Sequence, residues 1–160
     1  MIFGFGKPSA SSLRPLRAEK AQACAEIHAG GFAHPWSAAE IARLIATDNC
    51  VGAAALDPSS SKLRGFVLSR VAADQAEILT IAVGPSFRNA GIARQLLAYH
   101  LSQLVGLSVR SVFLEVDPAN KAACALYARQ AFSRVGERPG YYRNPNGPPS
   151  KALVMQRLLK

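Results

Sequence analysis

Among the residues of this sequence with the chemistry to move a proton are Glu115 and Tyr127. Glu115 sits near the end of the run Ser-Val-Phe-Leu-Glu-Val. If that run is a strand, Val112, Leu114 and Val116 share one face, and Phe113, Glu115 and Asp117 share the other. A carboxylate within so apolar a run is costly unless it is paired or functional. Paired, it is a salt bridge or an edge-exposed side chain; functional, it is a general base. Both readings stand on these residues alone. Tyr127 lies in an alanine-rich stretch beyond Pro118-Ala119-Asn120, and by itself reads as a core aromatic with a satisfied hydroxyl. Cys124 precedes it by one helical turn, but no histidine sits near it to activate the thiol, so nucleophilic catalysis is not indicated.

A third group of residues could hold an anion. Arg88-Asn89-Ala90-Gly91-Ile92-Ala93 follows an apolar run, Ile81-Ala82-Val83, and opens a segment with apolar residues at Ile92, Leu96, Leu97, Leu101 and Leu104. That spacing is helical. The first amides of a helix have no partners within it, and the dipole favours negative charge there. Gly91 lets a phosphate approach the backbone, and Arg88 and Arg94 add full charges. The string lacks the Gly-Lys-Ser/Thr ending of a nucleotide P-loop, and it is not a Gly-x-Gly-x-x-Gly fingerprint.

These residues need elements to hold them. Leu13 to Arg17 reads as a first strand, placed at a sheet edge by Pro15. A helix is expected from Ala18 to Ala29. A second, opened by the capping box Ser37-Ala38-Ala39-Glu40, is expected to bury Ile41, Leu44 and Ile45. Cys50 to Leu56 and Leu63 to Ala72 read as a hairpin around a polar loop at 57–61, followed by the strand ending at Val83. Ile81 to Val83, apolar without a break, suggests burial on both faces. The long helix is expected to stop in a left-handed turn at Gly106. Then come a strand from Ser108 to Val116, a helix from Lys121 to Gln130 capped by Asn120, and strands at Phe132 to Glu137 and Ala152 to Leu158. Residues 1–12 read as a flexible arm and 13–160 as one domain.

Composition narrows the function classes. The net charge is +9, and it is uneven: residues 1–87 hold 8 Lys/Arg against 7 Asp/Glu, and residues 88–160 hold 11 against 3. That placement suits a polyanionic ligand. Basic segments interleaved with stacking aromatics, helix-turn-helix patterns and zinc patterns are missing, so DNA is not expected, although contact with ribosomal RNA stays open. Cys24, Cys50 and Cys124 are odd in number and widely spaced, and His28, His34 and His100 form no ligand pair, so neither a disulfide framework nor a metal site is expected. No apolar run approaches the ~18 residues of a membrane span, and the first residues do not resemble a secretory signal, so the reading is of a cytoplasmic protein, a monomer or weak dimer.

The string from Leu114 to Tyr127, LEVDPANKAACALY, resembles the L-E-V-x-x-x-N-x-x-A-x-x-L-Y signature of RimI-type N-terminal acetyltransferases, within the GNAT superfamily. Arg88 to Ala93 resembles the acetyl-CoA pyrophosphate loop of the same superfamily. Similar agreement extends to 32–37, 79–83 and 135–142, so the resemblance covers roughly residues 13 to 160. It implies a GNAT fold of the α/β class (α+β by some schemes), a central mixed and mostly antiparallel sheet of six to seven strands with about four helices. It implies acetyl-CoA as co-substrate and, as acceptor, a protein N-terminus, with the N-terminal alanine of a small-subunit ribosomal protein favoured.

By the same resemblance Glu115 would take the proton of the incoming amine and Tyr127 would protonate the departing thiolate. The backbone of Ile81, Ala82 and Val83 would pair with pantetheine, Arg88, Asn89, Ala90, Gly91, Ile92 and Ala93 would hold the pyrophosphate, and Asn120 would make a further cofactor contact. Trp36, Tyr141 and Tyr142 are candidates for the peptide groove, and Trp36 could equally staple the first two helices. Three positions depart from the pattern. Ala93 stands where Gly is common, and Asp117-Pro118 replaces a basic residue near the acceptor. Ala131 replaces a Gly before Phe132, where a left-handed backbone would cost about 1 kcal/mol. A small amine or polyamine acceptor, or a non-catalytic CoA-binding domain, are the alternatives.

Overall fold

The computed structural model describes residues 10–142 and 150–159, and among them strands and helices follow the expected order. They are β1 (Ser12–Pro15), α1 (Ala21–Ala29), α2 (Ala38–Ala46), β2 (Cys50–Leu56), β3 (Leu63–Ala72), β4 (Gln75–Val83), α3 (Ile92–Gly106), β5 (Ser111–Val116), α4 (Lys121–Arg129), β6 (Ser133–Tyr142) and β7 (Ser150–Leu158). The strands form one sheet in the order β1-β2-β3-β4-β5-β7-β6, antiparallel except between β4 and β5. Pro15, which cannot donate to a ladder, does sit on an edge strand.

One face of the sheet packs against α3 and α4, the other against α1 and α2. Leu96, Leu97 and Leu104 of α3 are fully buried against Val67, Val112 and Leu114 of the sheet. Each such leucine contributes roughly 1.5–3 kcal/mol. On the second face Ile41 and Cys24 close over Phe66 and Leu68, and burial pushes the Cys24 thiol up to about 12, so it behaves as a small hydrophobe. The capping box forms as expected: Glu40 N–H donates to Ser37 Oγ at 3.1 Å, and Ser37 N–H to the Glu40 carboxylate at 2.7 Å.

The β3–β4 ladder slips by one residue. Leu68 pairs with Thr80 and Ser69 with Ile78, so Leu79 is an extra residue in β4. Side-chain parity reverses there: Ala76 and Ile78 face α3 before the bulge, Ile81 and Val83 after it. The unbroken apolar run is therefore an alternation that changes phase, and Ile81, Ala82 and Val83 are half-buried rather than enclosed on both faces. Gly65 lies across from Val83, and a Cβ there would stand 2.9 Å from the Ala82 carbonyl, so only glycine lets β3 and β4 approach this closely.

Several expected boundaries move. Ser12 pairs with Leu56, so it belongs to the sheet and not to the arm; residues 1–9 lie outside the described residues. Ala18–Lys20 is a short 3-10 turn that precedes α1. The stop expected at Gly106 falls instead on Ser108, with φ of 64°. Val109 N–H returns to Leu104 O at 3.1 Å and Ser108 N–H to Val105 O at 3.0 Å, a closing turn fixed by burial of Leu104 and Val109 together. The next strand accordingly starts at Ser111 and not Ser108. Ala131 does take the left-handed backbone, φ 63°, closing α4 through a bond from Phe132 N–H to Tyr127 O at 3.0 Å.

Candidate active site

The β4–β5 ladder is short. Gln75 to Ile78 pair with Ser111 to Leu114, and beyond that the two strands separate. From Leu79 to Val83, β4 pairs with β3 on one side only, which leaves its other backbone edge open to a ligand among the described residues. The gap has a different chemistry on each face of the sheet.

On the α3 face, a cavity of about 490 Å³ runs between the start of α3 and α4, bordered by Val83, Arg88, Gly91, Arg94, Leu126 and Arg129. Three arginines border it and no carboxylate does. Gly91 caps α3 with φ of 78°, and the first intrahelical bond is Gln95 N–H to Gly91 O at 3.1 Å. The amides of Ile92, Ala93 and Arg94 precede that bond and point out of the helix start. Asn89 also takes a left-handed backbone, φ 62°, and Ala90 is exposed beside it. Arg88 is partly committed, its Nε donating to Val83 O at 3.3 Å. A cationic cleft, a bare helix start and an open strand edge fit a long ligand with a diphosphate at one end and amide groups along its length, which is the make-up of CoA. Tyr127 borders the same face from α4, 6 % exposed, its ring edge-on to Phe132 at 5.7 Å.

On the opposite face, Glu115 borders a smaller cavity of about 300 Å³ with Arg70, Glu77, Phe113 and Val154. Its side chain is 22 % exposed, and its two carboxylate oxygens lie 3.2 and 3.4 Å from Nη1 of Arg138. The route of Arg138 follows from register. Glu115 pairs with Val154 on β7, Val154 with Gly136 on β6, and Arg138, two residues on from Gly136, pairs with Ala152. All share one face, and a Cβ at position 136 would meet nothing within 4 Å, so the guanidinium crosses an open position. Glu137 points to the other face, where Arg134 and Lys151 hold it. Glu77 is paired with Arg70 at 3.3 Å. Glu115 and Glu77, the two carboxylates that border this cavity, are thus each matched by an arginine.

Thr80 lies just past the bulge on this same face, 6 % exposed, and its Oγ1 is buried with no hydrogen-bond partner among the described residues. An unsatisfied hydroxyl of this kind costs about 1–3 kcal/mol.

The remaining sequence candidates are placed as follows. Asn120 caps α4, its Oδ1 accepting from Ala123 N–H at 3.1 Å, and it does not border the cationic cavity. Trp36 donates its backbone N–H to His28 Nδ1 at 3.1 Å and stacks its indole on that imidazole at 4.9 Å, while Phe32 stacks on the same ring at 4.0 Å. That is the staple between the first two helices, although the indole also borders a cavity with Leu44 and Thr47. Tyr141 and Tyr142 end β6, and their side chains lie outside the described residues. Arg138 and Thr80 had no role in the sequence reading. The signal for Arg138 was an arginine in the Val135–Tyr142 string, but only the β6–β7–β5 register aims it at Glu115. Nothing in sequence marked Thr80, because the bulge decides which face it takes. Among the described residues no cluster of His, Cys, Asp or Glu could hold a metal, and no helix is long and apolar enough to cross a membrane.

The chain is similar in sequence and fold to known proteins. Residues 17–132 match the profile of the Acetyltransferase (GNAT) family. A ribosomal-protein-alanine N-acetyltransferase of Escherichia coli K12 is 33 % identical over 88 residues, which are 55 % of this chain and 60 % of that protein, so the match spans less than two thirds of its length. The crystal structure of the Escherichia coli ribosomal-protein-alanine N-acetyltransferase superposes with a TM-score of 0.85 at 26 % identity, covering 94 % of each chain. Arabidopsis thaliana NAA60, in complex with acetyl-CoA, superposes with a TM-score of 0.79 at 24 % identity over 93 % of this chain and 98 % of that one, a likeness of fold.

Proposed function

The chain belongs to the acetyltransferase (GNAT) family, and from that premise we propose that it transfers the acetyl group of acetyl-CoA to the α-amine at a protein N-terminus. The favoured acceptor is the N-terminal alanine of a small-subunit ribosomal protein, a reading supported by relatives named for an alanine of ribosomal protein S18. The observation that carries the reading is the gap between β4 and β5, with a cationic cleft on one face and Glu115 on the other.

In this reading the two faces divide the reaction. Ile92, Ala93 and Arg94 amides with the Arg88 and Arg94 side chains hold the diphosphate, and the open edge of Ile81, Ala82 and Val83 pairs with the pantetheine amides. The thioester then lies in the gap. Glu115 takes a proton from the acceptor ammonium, a modest demand because such groups titrate near ~8. The freed lone pair attacks the thioester carbon, and a β4 backbone N–H stabilises the oxyanion that forms. As the oxyanion collapses the C–S bond breaks, and Tyr127, on the CoA side, gives its proton to the leaving thiolate, while the nitrogen releases its second proton to solvent and solvent reprotonates Tyr127. An amide and free CoA result. Base and acid lie on opposite faces of the sheet, as the two ends of the thioester require. Arg138 holds the Glu115 carboxylate in place before the acceptor arrives and yields part of it to the ammonium.

The pairing of Glu115 with Arg138 and of Glu77 with Arg70 argues against a polyamine acceptor in this cavity, which would be drawn by unpaired carboxylates. The test is mass spectrometry of peptides incubated with acetyl-CoA and the protein, with Ala, Ser or Met at the N-terminus and a blocked, lysine-only control. Acetylation at the α-amine of the alanine peptide is expected. Modification of lysine side chains or free polyamines alone overturns the assignment.

A further inference from the structure

Thr80 is the residue whose chemistry the fold itself leaves unused. It lies in β4 immediately after the extra residue Leu79, two positions past the last β4–β5 pair, Ile78 with Leu114. Its parity follows Leu68, its partner on β3, so its side chain stands on the face that also carries Glu115. The two residues flank the gap from different strands, Thr80 on β4 and Glu115 on β5. Its register partner Leu68 is fully buried, and Ala82, two residues on along β4, packs into the same apolar cluster. Valine has the shape of threonine and would suit that cluster, yet the position carries a hydroxyl with no partner among the described residues.

A buried hydroxyl without a partner lowers stability, and its partner here is a ligand that comes and goes. After the acceptor amine has lost one proton to Glu115, it keeps two N–H groups and a lone pair. The lone pair meets the thioester carbon only if the N–H groups are held elsewhere, and the orientation of the nitrogen decides the rate. We propose that Thr80 Oγ1 binds the acceptor, accepting one of those N–H groups at the β4 side of the gap and turning the lone pair toward the thioester. This rests on the reading of an amine as acceptor and adds a residue to it. Bulge and hydroxyl then act together, since with Leu79 paired in a regular ladder instead of bulged the hydroxyl would fall on the α3 face.

The test compares the wild type with Thr80→Val and Thr80→Ser, using an alanine-initiated peptide, acetyl-CoA and the full chain. Thr80→Val is expected to lower kcat/KM for the peptide about tenfold, the scale of one hydrogen bond. Its acetyl-CoA affinity by calorimetry stays at the wild-type value, and it melts at or above the wild-type temperature. Thr80→Ser restores the hydroxyl and is expected to recover kcat/KM to within about threefold of wild type. A Val variant that is more stable and turns over within twofold of wild type overturns the proposal, because the hydroxyl is then only a packing defect. A Val variant that melts well below wild type also overturns it, because the hydroxyl is then bonded within the fold. If the wild type leaves every peptide unmodified and acetylates a small amine, the N-terminal reading fails; the ratio of Val to wild-type rates on that amine then decides the role of Thr80.

Discussion

Acid should loosen this protein chiefly through one imidazole. His100 is fully buried in α3, with Nε2 2.6 Å from Ser69 Oγ on β3 and Nδ1 2.8 Å from Gln103 Oε1. Gln103 Nε2 donates to Gly52 O on β2 at 3.0 Å, which fixes Oε1 as the acceptor facing the ring. His100 therefore donates from Nδ1 and accepts the Ser69 hydroxyl at Nε2, and a second proton would face a donor. Burial pushes its pKa down from 6.5 to about 4, against a smaller upward pull from Gln103. Between those values the unfolded chain binds the proton and the folded chain does not, so stability is complete above pH ~6.5 and falls as the pH drops toward ~4. At pH 5 the unfolded state gains about 2 kcal/mol from this group. For a chain of this size that is a fall in Tm of about 4–8 °C relative to pH 7.5. His28 is also lowered by burial and adds with the same sign, while Asp57, held below the usual carboxylate range by Ser60, Ser59 and Arg64, titrates below this window. The assay is thermal unfolding of wild type and His100→Gln from pH 8 to pH 4.5. The variant should melt lower at pH 7.5 and lose less on acidification. A wild-type Tm unchanged between pH 7.5 and 5, or an equal acid slope in the variant, refutes the reasoning.

Three further outcomes follow from the site and its frame. Glu115→Gln should lower turnover about a hundredfold or more, the usual weight of a general base, while acetyl-CoA affinity by calorimetry stays unchanged. Gly91 needs its left-handed backbone and not its empty space, because a Cβ there meets only Arg94 Nη2 at 3.9 Å. Gly91→Asn should therefore bind acetyl-CoA far better than Gly91→Val, since asparagine enters that region and a β-branched residue resists it. Ala131→Gly should raise Tm by about 1–3 °C in a melting experiment, relieving roughly 0.5–1 kcal/mol at a φ of 63°.

The element order, the capping box at Ser37 and Glu40, the asparagine cap of α4 and the β2–β3 hairpin were legible because each rests on local signals. Asn120 announces its helix within four residues, and Asp57 bonds its own loop at Ser59 and Ser60. What stayed hidden depends on register. The apolar run at Ile81–Val83 looked doubly buried because a phase change and a continuous run have the same composition. Gly106 was the obvious stop, but the turn closes where Leu104 can meet Val109, a contact that only the packed sheet defines. Glu115 stands out in its motif as a candidate, and Arg138 is matched to it only through two strand pairings beyond β5.

The extra residue at Leu79 also decides which single-codon deletion β4 can absorb. Loss of that one codon would let β3 and β4 zip without interruption, since the ladder on either side is regular. Thr80 would still meet Leu68 and Ile81 would still meet Val67, so every side chain from Thr80 to Val83 would keep its face. In a library of single-codon deletions, clones lacking Leu79 should therefore still fold, with β4 one residue shorter and its local kink removed.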